Sequence, residues 1–362
     1  MGGKTSKGQR QRRRKILEAI HPIPAHPSQP DPSQLDKLPV SYQEINDYYE
    51  GFKEAKPFIM RKETFTRIEA ITGRPLICYV AKTSHVAPIL PIAIDDSDLI
   101  GFTDLVHSVK GKEVDVLIES NGGSAEAAER IVRLLRERFD SIRFIVPGNA
   151  YSAATLICFC GDKLAMSETG TLGPIDPQID GIPARAIRRA FENLEKRLAE
   201  EGPKALTAYV PLISKYDLHL LEICKSAEAL SKELAERWLS EYMLKCAKDD
   251  PRVKTIVDHF SDYDEHKSHG RSIGRMKTRE LRLEVEDLED TPGLADLIRS
   301  VHNQYGFWFD KTPFIKMFED ARGICWGRQA QNVTVQLPAV PQVHSPPALP
   351  PQPGPPASSD NL

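Results

Sequence analysis

The sequence predicts an α/β fold in which short apolar strands alternate with helices around a mainly parallel sheet. Two observations carry that prediction. Apolar runs of strand length at 76–81, 114–119, 142–146 and 164–166 are separated by stretches of helical length, of which Ala125–Phe139 is strongly amphipathic. Hydrophobic residues make up 40% of the 362, enough to fill the core that such βαβ units need.

Taken in order, residues 42–71 read as helical, with a break near Pro57. Leu76–Ala81 reads as a strand, and Ile89–Ile94 as a second, shorter one. Ser97–Lys110 reads as a helix with Ser97 as its N-cap. Val114–Glu119, Ile142–Val146 and Leu164–Met166 are further strands, and Ser152–Cys160 is an apolar helix. After Pro183 the pattern turns helical over Ala184–Glu201, Tyr216–Lys248 and Pro251–Phe260. Leu218, Leu221, Cys224, Leu230, Leu234 and Trp238 form one apolar stripe there. A strand-like Leu281–Val285 and a helix after Pro292 complete the folded part, expected to span 36–330.

Both ends differ in composition. In 1–35, seven Lys or Arg fall between Lys4 and Lys15 and five prolines follow, so a disordered basic and proline-rich tail is expected. Met1-Gly2 with Ser6 also fits an N-myristoylation pattern. Residues 331–362 are dominated by proline and read as a second disordered tail, locally polyproline II. No apolar run reaches the roughly 18–20 residues needed to span a bilayer, and no apolar segment follows the basic stretch as in a secretory signal. A cytoplasmic protein is expected. The formal net charge of −3 singles out no acidic or basic partner, and no specific nucleic-acid binding is expected. The six cysteines (78, 158, 160, 224, 246 and 325) lack metal-ligand or disulfide spacing and read as small buried hydrophobes. No Walker-type phosphate loop is present, no cofactor is expected, and ATP-driven unfolding, if used, belongs to another chain.

Three segments carry chemistry. Val116-Leu117-Ile118-Glu119-Ser120-Asn121-Gly122-Gly123-Ser124 runs from a buried strand through two glycines into a helix, a turn able to present bare N–H groups to a developing negative charge. Ile145-Val146-Pro147-Gly148-Asn149-Ala150-Tyr151-Ser152-Ala153-Ala154 repeats the strand–turn–helix pattern. Ser152 stands at the helix start among small residues, and the Ala153 N–H is available as a second oxyanion donor. A plain N-cap role explains Ser152 alone but not two such turns after neighbouring strands. In Gly170-Thr171-Leu172-Gly173-Pro174-Ile175-Asp176-Pro177-Gln178, two prolines fix Asp176, either as an orienting carboxylate or as a turn acceptor.

Together these segments resemble the serine dehydrogenase proteinase family, a distant relative of the Clp protease proteolytic subunit and of signal peptide peptidase A. The likeness runs from about Arg74 to Ile324 and is strongest over 95–180. It implies a ClpP/crotonase-like spiral of βαβ units, a serine-type peptidase with Ser152 as nucleophile, and Gly123 and Ala153 as oxyanion donors. It also implies a peptide or protein substrate and assembly into homo-oligomers; a separate ATPase or membrane partner is expected from the missing phosphate loop and the basic tail. Its triad order, Ser–Asp–His, would fall on Ser152, then Asp176 or Asp217, then His266 or His269. His269, beside Gly270, is the preferred base. Relatives of the signal peptide peptidase A type use a lysine instead, for which Lys204 and Lys215 are the candidates. His219 reads as helix surface, and a His266–His269 metal pair lacks a third ligand. Two rival readings remain open at this level: a non-catalytic scaffold of the same fold, and a crotonase-type acyl-CoA enzyme.

Overall fold

The structure, a computed structural model, describes residues 38–51, 57–84, 86, 90–202, 206–214, 216 and 219–330. Both expected tails therefore lie outside the described residues, as do Lys204, Lys215 and Asp217.

Helices α1 (Tyr42–Gly51) and α2 (Pro57–Thr72) lead into β1 (Leu76–Ala81), and α2 starts at the proline where a break was expected. Helix α3 (Leu99–Ser108), strand β2 (Glu113–Glu119), helix α4 (Ala125–Arg138) and strand β3 (Ser141–Val146) follow. Then come β4 (Asn149–Ala150), α5 (Ala153–Phe159), β5 (Lys163–Met166), β6 (Thr171–Leu172) and the small hairpin of β7 (Gln178–Ile179) and β8 (Ile182–Pro183). A helical region comprises α6 (Ala184–Glu201), α7 (Leu206–Ile213), α8 (Leu220–Trp238), α9 (Pro251–Ser261) and α10 (Tyr263–His266). The chain closes with β9 (Ile273–Gly274), α11 (Arg275–Glu280), β10 (Val285–Asp287), α12 (Leu294–Lys311), β11 (Phe314–Asp320) and β12 (Cys325–Gln329).

Seven strands form one sheet in the order β10-β5-β3-β2-β1-β11-β12. The first five are mutually parallel; β11 pairs antiparallel to β1, and β12 antiparallel to β11. This is a mixed α/β fold with a mainly parallel central sheet, as the alternation predicted. One face is covered by α3, α4 and α5, with α8 and α9 outside them. There Ile77, Tyr79, Val116, Ile118, Ile131, Leu135, Ile157 and Phe260 belong to one buried cluster. The other face packs against α2 and α12 through Phe65, Ile68, Cys78, Leu117, Ile145, Ile298 and Val301. Strands buried on both faces must be apolar throughout, which is why β1, β2, β3 and β5 read as continuous runs.

Strand β11 carries a buried ion pair on each face. Lys316 Nζ lies 2.8 Å from Asp98 Oδ2 on the α3 side. Arg61 of α2 grips Glu319 through two bonds of 2.7 Å on the other. All four side chains are at most 1% exposed.

Four expectations need correction. Ile89–Ile94 is no strand over its described part; only Ile94 pairs, in a single parallel bridge with Gly123. Ser97 is not the cap: Asp95 accepts its N–H and begins a short 3-10 turn, Asp96–Asp98, ahead of α3. The expected helix Tyr216–Lys248 is shorter, since α8 ends in a π-helical segment, Leu239–Met243. The strand expected over Leu281–Val285 starts only at Val285, because Thr278–Arg282 still closes the turn after α11. Cys78, Cys158, Cys160 and Cys224 are buried free thiols. Burial pushes the Cys160 thiol up to about 12. Among the described residues no helix is long and apolar enough to cross a membrane, and no three His, Cys, Asp or Glu are grouped to hold a metal ion.

Candidate active site

The site grows from the C-terminal end of the parallel sheet, where α/β folds leave a crevice. Strand β2 ends at Glu119, and Ser120 forms a parallel bridge with Ala150. The Ser120 N–H donates to the Asn149 carbonyl at 2.8 Å, and the Tyr151 N–H donates to the Ser120 carbonyl at 2.9 Å. These bonds lay the glycine turn against the serine turn. The Ser120 hydroxyl then accepts the Gly122 N–H at 3.1 Å.

The two glycines have different reasons to be glycine. Gly122 has φ +94°, and a Cβ on it would stand 2.6 Å from Ser152 Cβ and 3.0 Å from Ala153 N. Gly123 has no such backbone constraint; its Cβ would meet the Ile94 N and O at 2.3 Å. Ile94 clamps the turn by donating to the Gly122 carbonyl and accepting from Ser124 N–H. The Gly123 N–H lies between these two bonds, on an exposed residue, with no backbone acceptor among the described residues. Ser124 caps α4 by accepting the Ala127 N–H at 3.0 Å.

Ser152 occupies φ 52° and ψ −119°. This is the first central position of a type II′ turn, closed by the Ala154 N–H to the Tyr151 carbonyl at 2.9 Å. Glycine normally holds that position, and a side chain there costs about 1–3 kcal/mol. The Ser152 side chain makes no capping bond to α5, so the plain N-cap explanation fails. Ala153 is the first residue of α5, so its N–H has no helical carbonyl four residues back.

A second, three-stranded sheet gathers the remaining groups. Its order is β4-β6-β9, with β6 parallel to β4 and β9 antiparallel to β6. The chain therefore leaves β4 toward Ser152, leaves β6 toward Asp176, and enters β9 from His269, all at one edge. The Thr155 hydroxyl of α5 accepts the Gly173 N–H at 3.1 Å and lies 2.6 Å from the Ala150 carbonyl, pinning the first two of these exits together. The Pro174–Pro177 segment is fixed from the helical side. Ile175 donates its N–H to the Phe260 carbonyl at 2.8 Å, and its carbonyl accepts the Ser231 hydroxyl at 2.7 Å.

Asp176, 3% exposed, stands 2.8 Å from His269 Nδ1 through Oδ1 and accepts Gln178 Nε2 at 2.9 Å through Oδ2. The two residues are thus brought together across 93 positions of sequence. The His269 side chain is 25% exposed. Ser152 Oγ makes no hydrogen bond among the described residues, so no direct bond joins it to His269. His266 is placed elsewhere: it is buried, and its Nε2 lies 2.7 Å from the His259 carbonyl, tying α10 to α9. His219 stands at the N-terminus of α8.

Sequence reasoning missed a second imidazole–carboxylate pair. His302 Nδ1 of α12 lies 2.8 Å from Glu119 Oε2, and the Thr83 hydroxyl donates to Glu119 Oε1 at 3.0 Å. The pair borders a cavity of about 280 Å3 that also touches Asn149 and Asp310. Glu119 at the end of an otherwise apolar run was the one available signal; nothing pointed to His302. Burial acts to lower the His302 pKa, but the Glu119 charge and hydrogen bond outweigh it, and the imidazole titrates above its ordinary value. Its stabilising contribution is therefore full below about pH 6.5 and is lost as pH rises through the raised value. The melting temperature of the wild type should accordingly fall more steeply above about pH 6.5 than that of His302→Gln. Equal slopes in scanning fluorimetry would contradict this.

Two uncharacterised proteins of Methanocaldococcus jannaschii are 33% identical over 159 residues and 27% identical over 164 residues. These matches cover 42% and 43% of this chain, and it spans 55% and 56% of those relatives. A solved membrane-bound stomatin-specific protease, a mutant in complex with a substrate peptide, is 18% identical with a TM-score of 0.32; the match covers 53% of this chain and 70% of that one. Residues 53–209, which hold both turns, Ser152 and Asp176, match the family model of the ClpP-like SDH-type serine proteinases.

Proposed function

We propose that the chain is a serine peptidase that cleaves peptide bonds through an acyl-enzyme on Ser152. The observation that carries this reading is the Ser152 backbone. A serine held at a turn position suited to glycine, with a hydroxyl that caps nothing, is strained for the benefit of its side chain.

In this reading Ser152 Oγ attacks the peptide carbonyl while His269 Nε2 takes its proton. Asp176 holds Nδ1–H of the imidazole and stabilises the cation that forms. The carbonyl oxygen becomes an oxyanion received by the N–H groups of Gly123 and Ala153. The imidazolium then protonates the leaving amine. Water, deprotonated by the same imidazole, releases the acyl group from Ser152 and restores the hydroxyl. No step needs a cofactor.

A fluorophosphonate probe on the full chain, followed by peptide mapping, tests the proposal, because it reacts with activated serines. Covalent labelling at Ser152 is expected. A folded protein that takes no label, or takes it elsewhere, would refute the assignment.

A further inference from the structure

We propose that Tyr151 is a positioning residue that holds the three segments of the site in mutual alignment; this role rests on the reading of Ser152 as nucleophile. Tyr151 touches every limb of the site. Its N–H joins the nucleophile turn to the glycine turn by donating to the Ser120 carbonyl, and its carbonyl closes the nucleophile turn by accepting the Ala154 N–H, both at 2.9 Å. Its ring lies on the backbone of Gly173, where a Cβ would approach Cγ to 2.7 Å. Gly173 begins the rigid segment that ends at Asp176. The Tyr151 hydroxyl lies 2.7 Å from Ser272 Oγ and 3.2 Å from Thr171 Oγ1. Ser272 is three residues beyond His269, in the stretch that delivers the imidazole to β9.

The alignment needs such a tie because the underlying sheet is slight. Strands β4, β6 and β9 have two residues each. Among the described residues, the backbone between His269 and β9 is held by local turn bonds, Gly270 N–H to Ser268 Oγ and Arg271 N–H to the Ser268 carbonyl. The Tyr151–Ser272 bond links the residue before the nucleophile directly to this stretch. It is a side-chain contact, so its removal leaves every ladder bond in place. Misplacement by about 1 Å is enough to cost on the order of 100-fold in rate.

The test compares Tyr151→Phe, Ser272→Ala and the double variant with wild type, measuring fluorophosphonate labelling of Ser152 in the full chain across pH. Each single variant should lower the maximal labelling rate constant about 10- to 100-fold with the probe's half-saturation concentration nearly unchanged. The double variant should be no slower than the slower single, because both singles remove the shared Tyr151–Ser272 contact. Ser272→Thr, which restores a hydroxyl, should recover the rate. Melting temperatures should stay near wild type. Labelling of Tyr151→Phe at the wild-type rate and with the wild-type pH profile would overturn the proposal. Losses that multiply in the double variant, or that follow the melting temperature, would overturn it too by showing a merely structural contact. If the wild-type chain itself takes no label at Ser152, the nucleophile reading fails and the positioning role falls with it; slow wild-type-like labelling in all variants, by contrast, refutes the positioning role alone.

Discussion

Ser152→Ala is expected to lower peptide hydrolysis by about 10⁴–10⁶-fold while the protein stays folded. The hydroxyl makes no hydrogen bond within the described structure, so its removal deletes no stabilising contact. A second substitution separates strain from chemistry. Ser152→Gly loses the nucleophile equally but relieves the positive-φ conformation. It should therefore be more stable than Ser152→Ala by about 1 kcal/mol, despite the greater freedom glycine brings to the unfolded chain. Thermal melts of both variants together with turnover of a fluorogenic peptide make the comparison. Retained turnover in either would dismiss Ser152 as nucleophile. An Ala variant as stable as the Gly variant would mean that the turn is not strained.

His269→Gln is expected to slow hydrolysis by about 10²–10⁴-fold, the usual share of a general base, and Asp176→Asn should follow it closely. His266→Gln should do the reverse. It loses a buried bond to the His259 carbonyl, worth about 0.5–1.5 kcal/mol, and keeps turnover within a few-fold of wild type. Wild-type activity should show an acid limb that the Gln variant at 269 lacks, since an imidazole must be neutral to accept the serine proton. Full activity of His269→Gln, with loss in Lys204→Met or Lys215→Met, would replace the triad by a serine–lysine dyad.

These two predictions depend on residues whose legibility in sequence differed widely. Strands β1, β2, β3 and β5 could be read because burial on both faces forces uninterrupted apolar runs. Ser152 and the glycine pair could be read because a strand, a turn and a helix start are local events. The partnership of Asp176 and His269 is not local. It is created by β4, β6 and β9, whose two residues each are too few to show any period, and only family resemblance pointed to it. Strands β11 and β12 escaped notice for another reason. Lys316, Glu319 and Asp320 give β11 the look of a polar segment, yet all three are fully buried. For Lys316 and Glu319, hydropathy cannot report a charge that is hidden because its counter-charge lies far away in sequence. The same holds for Glu119 and His302, 183 positions apart. The Ser97 cap failed on a smaller scale: with acids at 95, 96 and 98, the residue that caps is the one where the backbone turns, and that was Asp95.

The paired charges of β11 also bear on how the sheet avoids assembling wrongly. A buried ion pair adds little net stability compared with apolar packing, because desolvation consumes most of the attraction. Its worth here is discriminatory. A strand that slips by one residue turns every side chain to the opposite face. Lys316 would then turn to the face of Arg61 and Glu319 to the face of Asp98, and each of the two pairs would lose its counter-charge. The correct pairing with β1, Tyr79 opposite Phe318 and Ala81 opposite Lys316, is the one in which both faces are neutralised. Strand β11 docks on β1 from far along the chain, where hydrophobicity alone would tolerate several alignments. Two oppositely oriented pairs act as a proofreading check on that final docking, and the strand that reads worst as a strand is the one whose placement is least ambiguous.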